Sequence, residues 1–386
     1  MKLMSIAGAR PNFMKIAAIT RAVEKHNKQR ADFGHEPINH VIVHTGQHYD
    51  AKMSHSFFDD LAIPKPDINL EVGSGSHAAQ TAEIMKRFEP VLLTEEPDVL
   101  LVVGDVNSTI ACTLVASKIE YPAGKRRRRP IIVHVEAGLR SFDRNMPEEI
   151  NRILTDAISD FLFITEESAA KNLRDEGIAE EKIYFSGNVM IDTLRQHLDK
   201  AAESTIVERL ALPAKYSLVT LHRPSNVDQK NTLQPLIESL QYIAGKCHLV
   251  FPVHPRTKNS LTKFNLLQVL QDNKNITLAE PLGYIDFLRL VKDAAVVITD
   301  SGGIQEETTV LGVPCVTLRE STERPVTVTV GTNYLIGTSP DKINQSVDAI
   351  LCGQGKKGAI PPYWDGKAGD RIVATIVSVM GKETIR

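Results

Sequence analysis

The chain has 386 residues, with 45 Lys and Arg against 47 Asp and Glu, a net charge of −2 and 42% hydrophobic residues. That length exceeds one ordinary core and makes two domains the expectation. The even charge balance excludes a basic nucleic-acid footprint, and no apolar run approaches the ~20 residues that span a bilayer.

The N-terminus enters a strand-like run at residues 3–7 without a signal-peptide core and cleavage site, so the cytoplasm is the expected compartment. Further strand candidates follow at 40–44, 99–103, 131–135, 161–165 and 183–185. Several are apolar throughout, as strands covered on both faces must be, and helical patterns separate them as βαβ crossovers require. Residues 192–214 read as charged and helical up to Pro213, which marks the hinge. The strand pattern then repeats at 217–221, 248–252, 276–278, 296–299 and 315–318. Ile372, Ile376, Val377 and Met380 make the stripe of a final amphipathic helix. The fold class is therefore α/β, with two Rossmann-like doubly wound domains at 1–190 and 191–365 and a last helix at 366–386. Ligand crevices in such domains lie at the carboxyl ends of the strands, so site residues are sought just after strands.

After the first strand comes Gly8-Ala9-Arg10-Pro11-Asn12-Phe13-Met14-Lys15, in which Arg10 and Lys15 offer two cations to a phosphate. Asp105 follows another strand, in Gly104-Asp105-Val106-Asn107, where capping the next helix is the competing role. The run Lys125-Arg126-Arg127-Arg128-Arg129 reads as a solvated loop. Glu136, in His134-Val135-Glu136-Ala137-Gly138, closes a strand where nothing structural asks for a carboxylate. Glu148 and Glu149 open a helix in which Ile150, Ile153, Leu154, Ala157, Ile158 and Phe161 form an apolar stripe expected to face the core.

In the second half His222 stands directly after a strand, and His254 is a weaker case of the same placement. Asp300-Ser301-Gly302-Gly303 leads from a strand into a helix, a turn whose amides and dipole suit a diphosphate. Glu307 lies about one turn along, within reach of a ribose hydroxyl pair.

Three patterns are set aside. Gly73-Ser74-Gly75-Ser76-His77-Ala78 mimics a dinucleotide fingerprint but does not open a compact first βαβ unit. There is no GxxxxGK[ST] loop, and His44 and His48 are interrupted by Gly46, so no metal site is expected. The four cysteines form no CxxC pair, and Cys112 and Cys315 are expected as buried thiols.

Over nearly its full length the chain resembles the non-hydrolysing UDP-N-acetylglucosamine 2-epimerases. The resemblance rests on residues 8–15, 45–50, 104–109, 135–140 and 147–152, on Gly187-Asn188, and on residues 222–226, 300–307 and 322–325, in that order. It implies a glycosyltransferase-B-like pair of domains facing each other across a cleft, with the last helix crossing back onto the first domain, and a homodimer. Asp105, Glu136, Glu148 and His222 match the family's catalytic residues. Arg10, Lys15, Ser301, Gly302, Gly303, Glu307 and Arg324 match its UDP-sugar ligands, and Leu282 and Phe287 fall where it holds uracil. Ala9 and Asn12 replace the commoner Thr and Glu. Gly46-Gln47-His48-Tyr49-Asp50 and Pro224 depart from the bacterial members regulated at a second UDP-N-acetylglucosamine site, so their allosteric activation is not carried over.

The implied reaction is C2 epimerisation of UDP-N-acetylglucosamine by elimination and re-addition of UDP, with no nicotinamide or metal cofactor. A hydrolysing epimerase, an epimerase for a modified UDP-sugar, a glycosyltransferase of this fold and a silent nucleotide-sugar sensor are the alternatives.

Overall fold

The computed structural model describes residues 1–31, 36–47, 65–123 and 127–382. His48, Tyr49 and Asp50 of the 45–50 motif, and Lys125 and Arg126 of the basic run, lie outside the described residues. The chain divides into two compact units, Met1–Arg195 with Pro362–Arg386, and Gln196–Pro361.

The first unit contains strands β1 (Lys2–Ala7), β2 (Asn39–His44), β3 (Ile68–Asn69), β4 (Val99–Val103), β5 (Ile131–Ala137), β6 (Phe161–Ile164) and β7 (Ile183–Phe185). Its long helices are α1 (Arg10–Ala31), α2 (His77–Glu95), α3 (Asn107–Lys118), α4 (Pro147–Ile158) and α5 (Glu167–Asp175). Helix α6 (Val189–Ala202) carries the chain into the second unit. There the strands are β8 (Tyr216–Thr220), β9 (His248–Pro252), β10 (Ile276–Ala279), β11 (Val296–Thr299), β12 (Cys315–Thr317) and β13 (Asn333–Leu335). The longer helices between them are α7 (Lys230–Ala244), α8 (Pro255–Lys263), α9 (Tyr284–Asp293), α10 (Gly302–Leu311) and α11 (Pro340–Ala349), and α12 (Ala368–Lys382) returns to the first unit.

Both sheets are parallel, in the orders β3-β2-β1-β4-β5-β6-β7 and β10-β9-β8-β11-β12-β13. Every residue of β4 and β5 is buried; β4 is accordingly apolar without alternation, while β5 carries His134 and Glu136 among its apolar residues. The order reverses between β1 and β4 in one unit and between β8 and β11 in the other. A ligand crevice opens at such a switch point. The two-domain α/β class expected from the sequence is the one observed.

Two local expectations are corrected, and two strands are added to those expected. Residues 192–214 are not one helix: α6 ends at Ala202 and a short helix, Ile206–Arg209, follows. Edge strands β3 and β13 escape sequence reading because they are two and three residues long and half polar. The stripe on α4 does not face the core. Ile150, Leu154 and Ala157 are exposed, while Glu149, Arg152, Thr155 and Asp156 are buried. Its polar face turns inward because it supplies charges to a buried network, described below.

The returning segment is anchored by named contacts. Trp364 Nε1 donates to the Thr165 carbonyl at 2.8 Å, and Asp192 accepts the first amides of α12, Ala368 N at 3.1 Å and Gly369 N at 2.7 Å. Helix α12 packs along α1. No helix among the described residues is long and apolar enough to cross a membrane.

Candidate active site

In the first unit, β1 ends at Ala7 and Asn12 closes the following turn. Its Oδ1 accepts Gly8 N at 3.1 Å and Ala9 N at 2.8 Å, and its Nδ2 donates to the Val103 carbonyl at 3.0 Å. One side chain thus ties the start of α1 to the end of β4 across the switch point. Arg10, half-buried, is the first residue of α1. Lys15 lies one turn on and pairs with Glu136, both almost fully buried. Gly104 has φ of +68°, and a Cβ there would stand 3.0 Å from Lys15 Nζ. The absence of a side chain is what lets the ammonium sit against the β4 turn.

Glu136 is not beyond its strand, as the sequence suggested, but inside β5. The register shifts between Val135 and Ala137, and Glu136 takes φ of +72°. A left-handed glutamate at a bulge is strained backbone, of order 1–3 kcal/mol, and such strain re-aims a side chain beside a site. Here it turns the carboxylate toward Lys15.

Asp105 does not cap α3; the N-cap is Val106, without a side-chain cap bond. Its carboxylate pairs with Arg152 of α4, and its carbonyl accepts Asn151 Nδ2 at 2.9 Å. The two first-turn glutamates of α4 separate cleanly. Glu149 is buried, accepting Ser141 N at 3.0 Å, Phe142 N at 2.8 Å and Arg152 Nη2 at 2.6 Å, so it holds the loop before α4. Burial pushes its carboxyl up, but these partners outweigh that and keep it below the ordinary value. Glu148 instead opens, with Asp105, His77, Asn107 and Asn151, onto a pocket of about 280 Å³.

Beneath these loops lies a buried cluster that sequence reasoning missed. His134 Nδ1 meets Asp156 Oδ1 at 2.6 Å, and Nε2 meets the Gly104 carbonyl at 2.9 Å. The other Asp156 oxygen accepts Gly138 N at 3.0 Å and pairs with Arg140 at 2.7 Å. This set pins the backbone next to Asp105 and the turn after Glu136. The only sequence signal was a run of polar residues at helical spacing on α4.

In the second unit, Asp300 at the end of β11 is fully buried and accepts His222 N at 3.0 Å, Arg223 N at 2.9 Å and Asn226 Nδ2 at 3.2 Å. Burial pushes its carboxyl up, but His222 and these amides hold it below the usual range. His222 Nδ1 lies 2.9 Å from Asp300 Oδ1. The acceptor-only carboxylate fixes the proton on Nδ1, so Nε2 is the nitrogen presented for acid or base work. His254 Nδ1 accepts Arg256 N at 3.2 Å and caps α8, a structural role.

Ser301 is the N-cap of α10 but makes no side-chain cap bond, so the first-turn amides at Gly302 and Gly303 keep no capping acceptor from it. A Cβ on Gly302 would lie 2.9 Å from Arg324 Nη1 and 2.8 Å from Glu323 Oε1. Arg324 therefore abuts the amide turn. It is steered by Glu306, at 2.7 Å, and by Glu323, which Arg319 holds at 2.8 Å. A guanidinium beside exposed helix amides is suited to two phosphate groups. Leu282 and Phe287, half-buried around the start of α9, border the same small core as Ile304 of α10. Glu307 is buried in the second turn of α10, bonded to the Tyr284 hydroxyl at 3.0 Å. Of the thirteen residues singled out, Arg10, Lys15, Asp105, Glu136 and Glu148 belong to the first unit, and the other eight to the second. Among the described residues no group of three His, Cys, Asp or Glu is arranged to hold a metal ion.

A family profile described as UDP-N-acetylglucosamine 2-epimerase matches residues 32–377. The UDP-N-acetylglucosamine 2-epimerase of Methanocaldococcus jannaschii is 45% identical over 379 residues, covering 97% of this chain and 98% of that protein. The UDP-2,3-diacetamido-2,3-dideoxy-D-glucuronate 2-epimerase of Pseudomonas aeruginosa is 39% identical, covering 96% and 98%. The crystal structure of the Methanocaldococcus jannaschii UDP-GlcNAc 2-epimerase in complex with UDP-GlcNAc and UDP matches with a TM-score of 0.85 at 43% identity, over 98% of this chain and 100% of that one. The chain belongs to the UDP-N-acetylglucosamine 2-epimerase family, and it is an epimerase.

Proposed function

We propose that this epimerase interconverts UDP-N-acetylglucosamine and UDP-N-acetylmannosamine. The C2 proton is not adjacent to a carbonyl, so no enolate stabilises its loss. In the elimination the C2 proton passes to a protein base while the C1–O bond breaks. The C–H electron pair becomes the C1=C2 double bond of a 2-acetamidoglucal, and UDP leaves with the C1–O pair. Re-addition returns UDP to C1 and delivers a proton to the opposite face of C2, so atoms and electrons balance.

The carrying observation is the pair of carboxylates at the first unit's switch point, each set by its own cation. Glu136 lies against Lys15, and Asp105 lies against Arg152 beside Glu148. Acid and base groups for two faces of one carbon are what the reaction needs. His222, oriented by Asp300, is a fourth proton carrier in this proposal. Arg324 and the Gly302-Gly303 amides, with Arg10 and Lys15 from the first unit, are assigned to hold UDP while it is detached. Leu282 and Phe287 are assigned to the uracil.

A modified UDP-sugar is the second reading, since the Pseudomonas aeruginosa relative is named for a diacetamido-uronate. The described lining of the pocket beside Asp105 favours the neutral sugar. It contains Glu148 and Asp105 but no Lys or Arg to meet a sugar carboxylate. The proposal places the enzyme in the cytoplasm, supported by four unpaired cysteine thiols, and makes it a homodimer through the exposed stripe of α4.

Phosphorus and proton NMR of the protein with UDP-N-acetylglucosamine tests the reading. The expected product is UDP-N-acetylmannosamine with its diphosphate ester intact. Stoichiometric free UDP would make the enzyme a hydrolysing epimerase, and unchanged substrate would point to another UDP-sugar.

A further inference from the structure

Glu307 is more deeply placed than ligand contact alone explains. It is 3% exposed, and one carboxylate oxygen, Oε1, accepts the Tyr284 hydroxyl at 3.0 Å. The other, Oε2, is buried with no hydrogen-bond partner among the described residues. A buried acceptor left empty is costly, and such a group in a native fold calls for a missing donor. Tyr284 is itself buried, at the first position of α9, between Leu282 and Phe287 in sequence.

We propose that Tyr284 is a positioning residue that fixes Oε1 and so aims Oε2 of Glu307 at the vicinal hydroxyls of a ribose, coupling the helix that meets the base to the carboxylate that reads the sugar. This rests on the UDP-sugar reading above. The ionised carboxylate offers strong acceptors to Tyr284 and to both hydroxyls, whereas protonation turns one acceptor position into a donor and weakens those that remain.

The surroundings make that ionisation sensitive near neutrality. Burial pushes the Glu307 carboxyl up to about 7; the Tyr284 hydrogen bond acts against this, and the neighbouring Glu306 adds to it. Glu306 faces it from its own helix and is paired with Arg324. From α9 comes Tyr284, whose ring meets that of His197 on α6 at 6.1 Å. Since the carboxyl is raised, UDP binding is strong above neutrality and weakens as the pH falls through the carboxyl's titration. Removing the Tyr284 donor moves that weakening to higher pH.

The test is calorimetric binding of UDP and of 2′-deoxy-UDP across neutrality to the wild type, Tyr284→Phe and Glu307→Gln. Tyr284→Phe removes one oxygen and keeps the ring packing. The wild type is expected to prefer UDP over its 2′-deoxy form by roughly tenfold or more, the scale of a hydrogen bond to a charged group. In Tyr284→Phe the preference shrinks several-fold and the pH step moves up; in Glu307→Gln the step disappears. An unshifted step and an unchanged preference in Tyr284→Phe would overturn the positioning role while leaving the UDP-sugar reading intact. A wild type that binds neither nucleotide overturns both.

Discussion

Asp105 and Glu136 each belong to an ion pair of their own. Each carboxylate is held by a cation, Arg152 and Lys15 respectively, so each is poised in one direction before substrate arrives. Asp105→Asn and Glu136→Gln keep shape and remove only charge and basicity. Each is expected to lower kcat by about 10²–10⁴-fold with UDP affinity within a few-fold of wild type. Steady-state kinetics and calorimetry measure the two quantities separately; near-normal kcat in both variants would remove these residues from the chemistry. The motifs made Asp105 and Glu136 visible in sequence, since a carboxylate after an apolar run stands out. Their pairing was not visible, because Lys15 and Arg152 reach them only once β1, β4 and β5 lie side by side.

Helix α4 carries the instructive error. Its apolar spacing is real, but burial follows the polar face, because Glu149, Arg152 and Asp156 complete a network of charges under the loops. Periodicity reports which side differs from the other, not which side is inside. The stripe through Ile150 and Leu154 therefore needs a cover, and a second copy is the proposed one. Leu154→Arg is expected to shift the protein from dimer to monomer in light scattering; a wild-type monomer would refute that interface. The buried face makes its own prediction. Burial pushes the Asp156 carboxyl up, but His134 and Arg140 outweigh this and hold it below the ordinary value. Its stabilisation is thus present above the unfolded-state value near ~4 and lost as the pH falls through the folded one. Asp156→Asn is expected to cost about 3 kcal/mol at neutral pH, by stranding buried partners. The deficit should narrow in acid, as denaturant midpoints at stepped pH will show. Equal midpoints at neutral pH would contradict it.

At the scale of the whole chain, two sheets with the same strand order each bring their reversal point to residues that the motifs had marked. The central strands, the parallel class and the places of the motifs were legible because buried parallel strands are largely apolar and crevices follow their carboxyl ends. The short edges β3 and β13, the bulge at Glu136 and the burial of Glu307 were not, since each depends on neighbours distant in sequence. The central claim is that UDP departs and returns while C2 exchanges its proton. The direct measurement is proton NMR of UDP-N-acetylglucosamine with the enzyme in D₂O. Deuterium should appear at C2 of both epimers with the diphosphate ester intact. Epimerisation that retains the original C2 hydrogen would contradict the account.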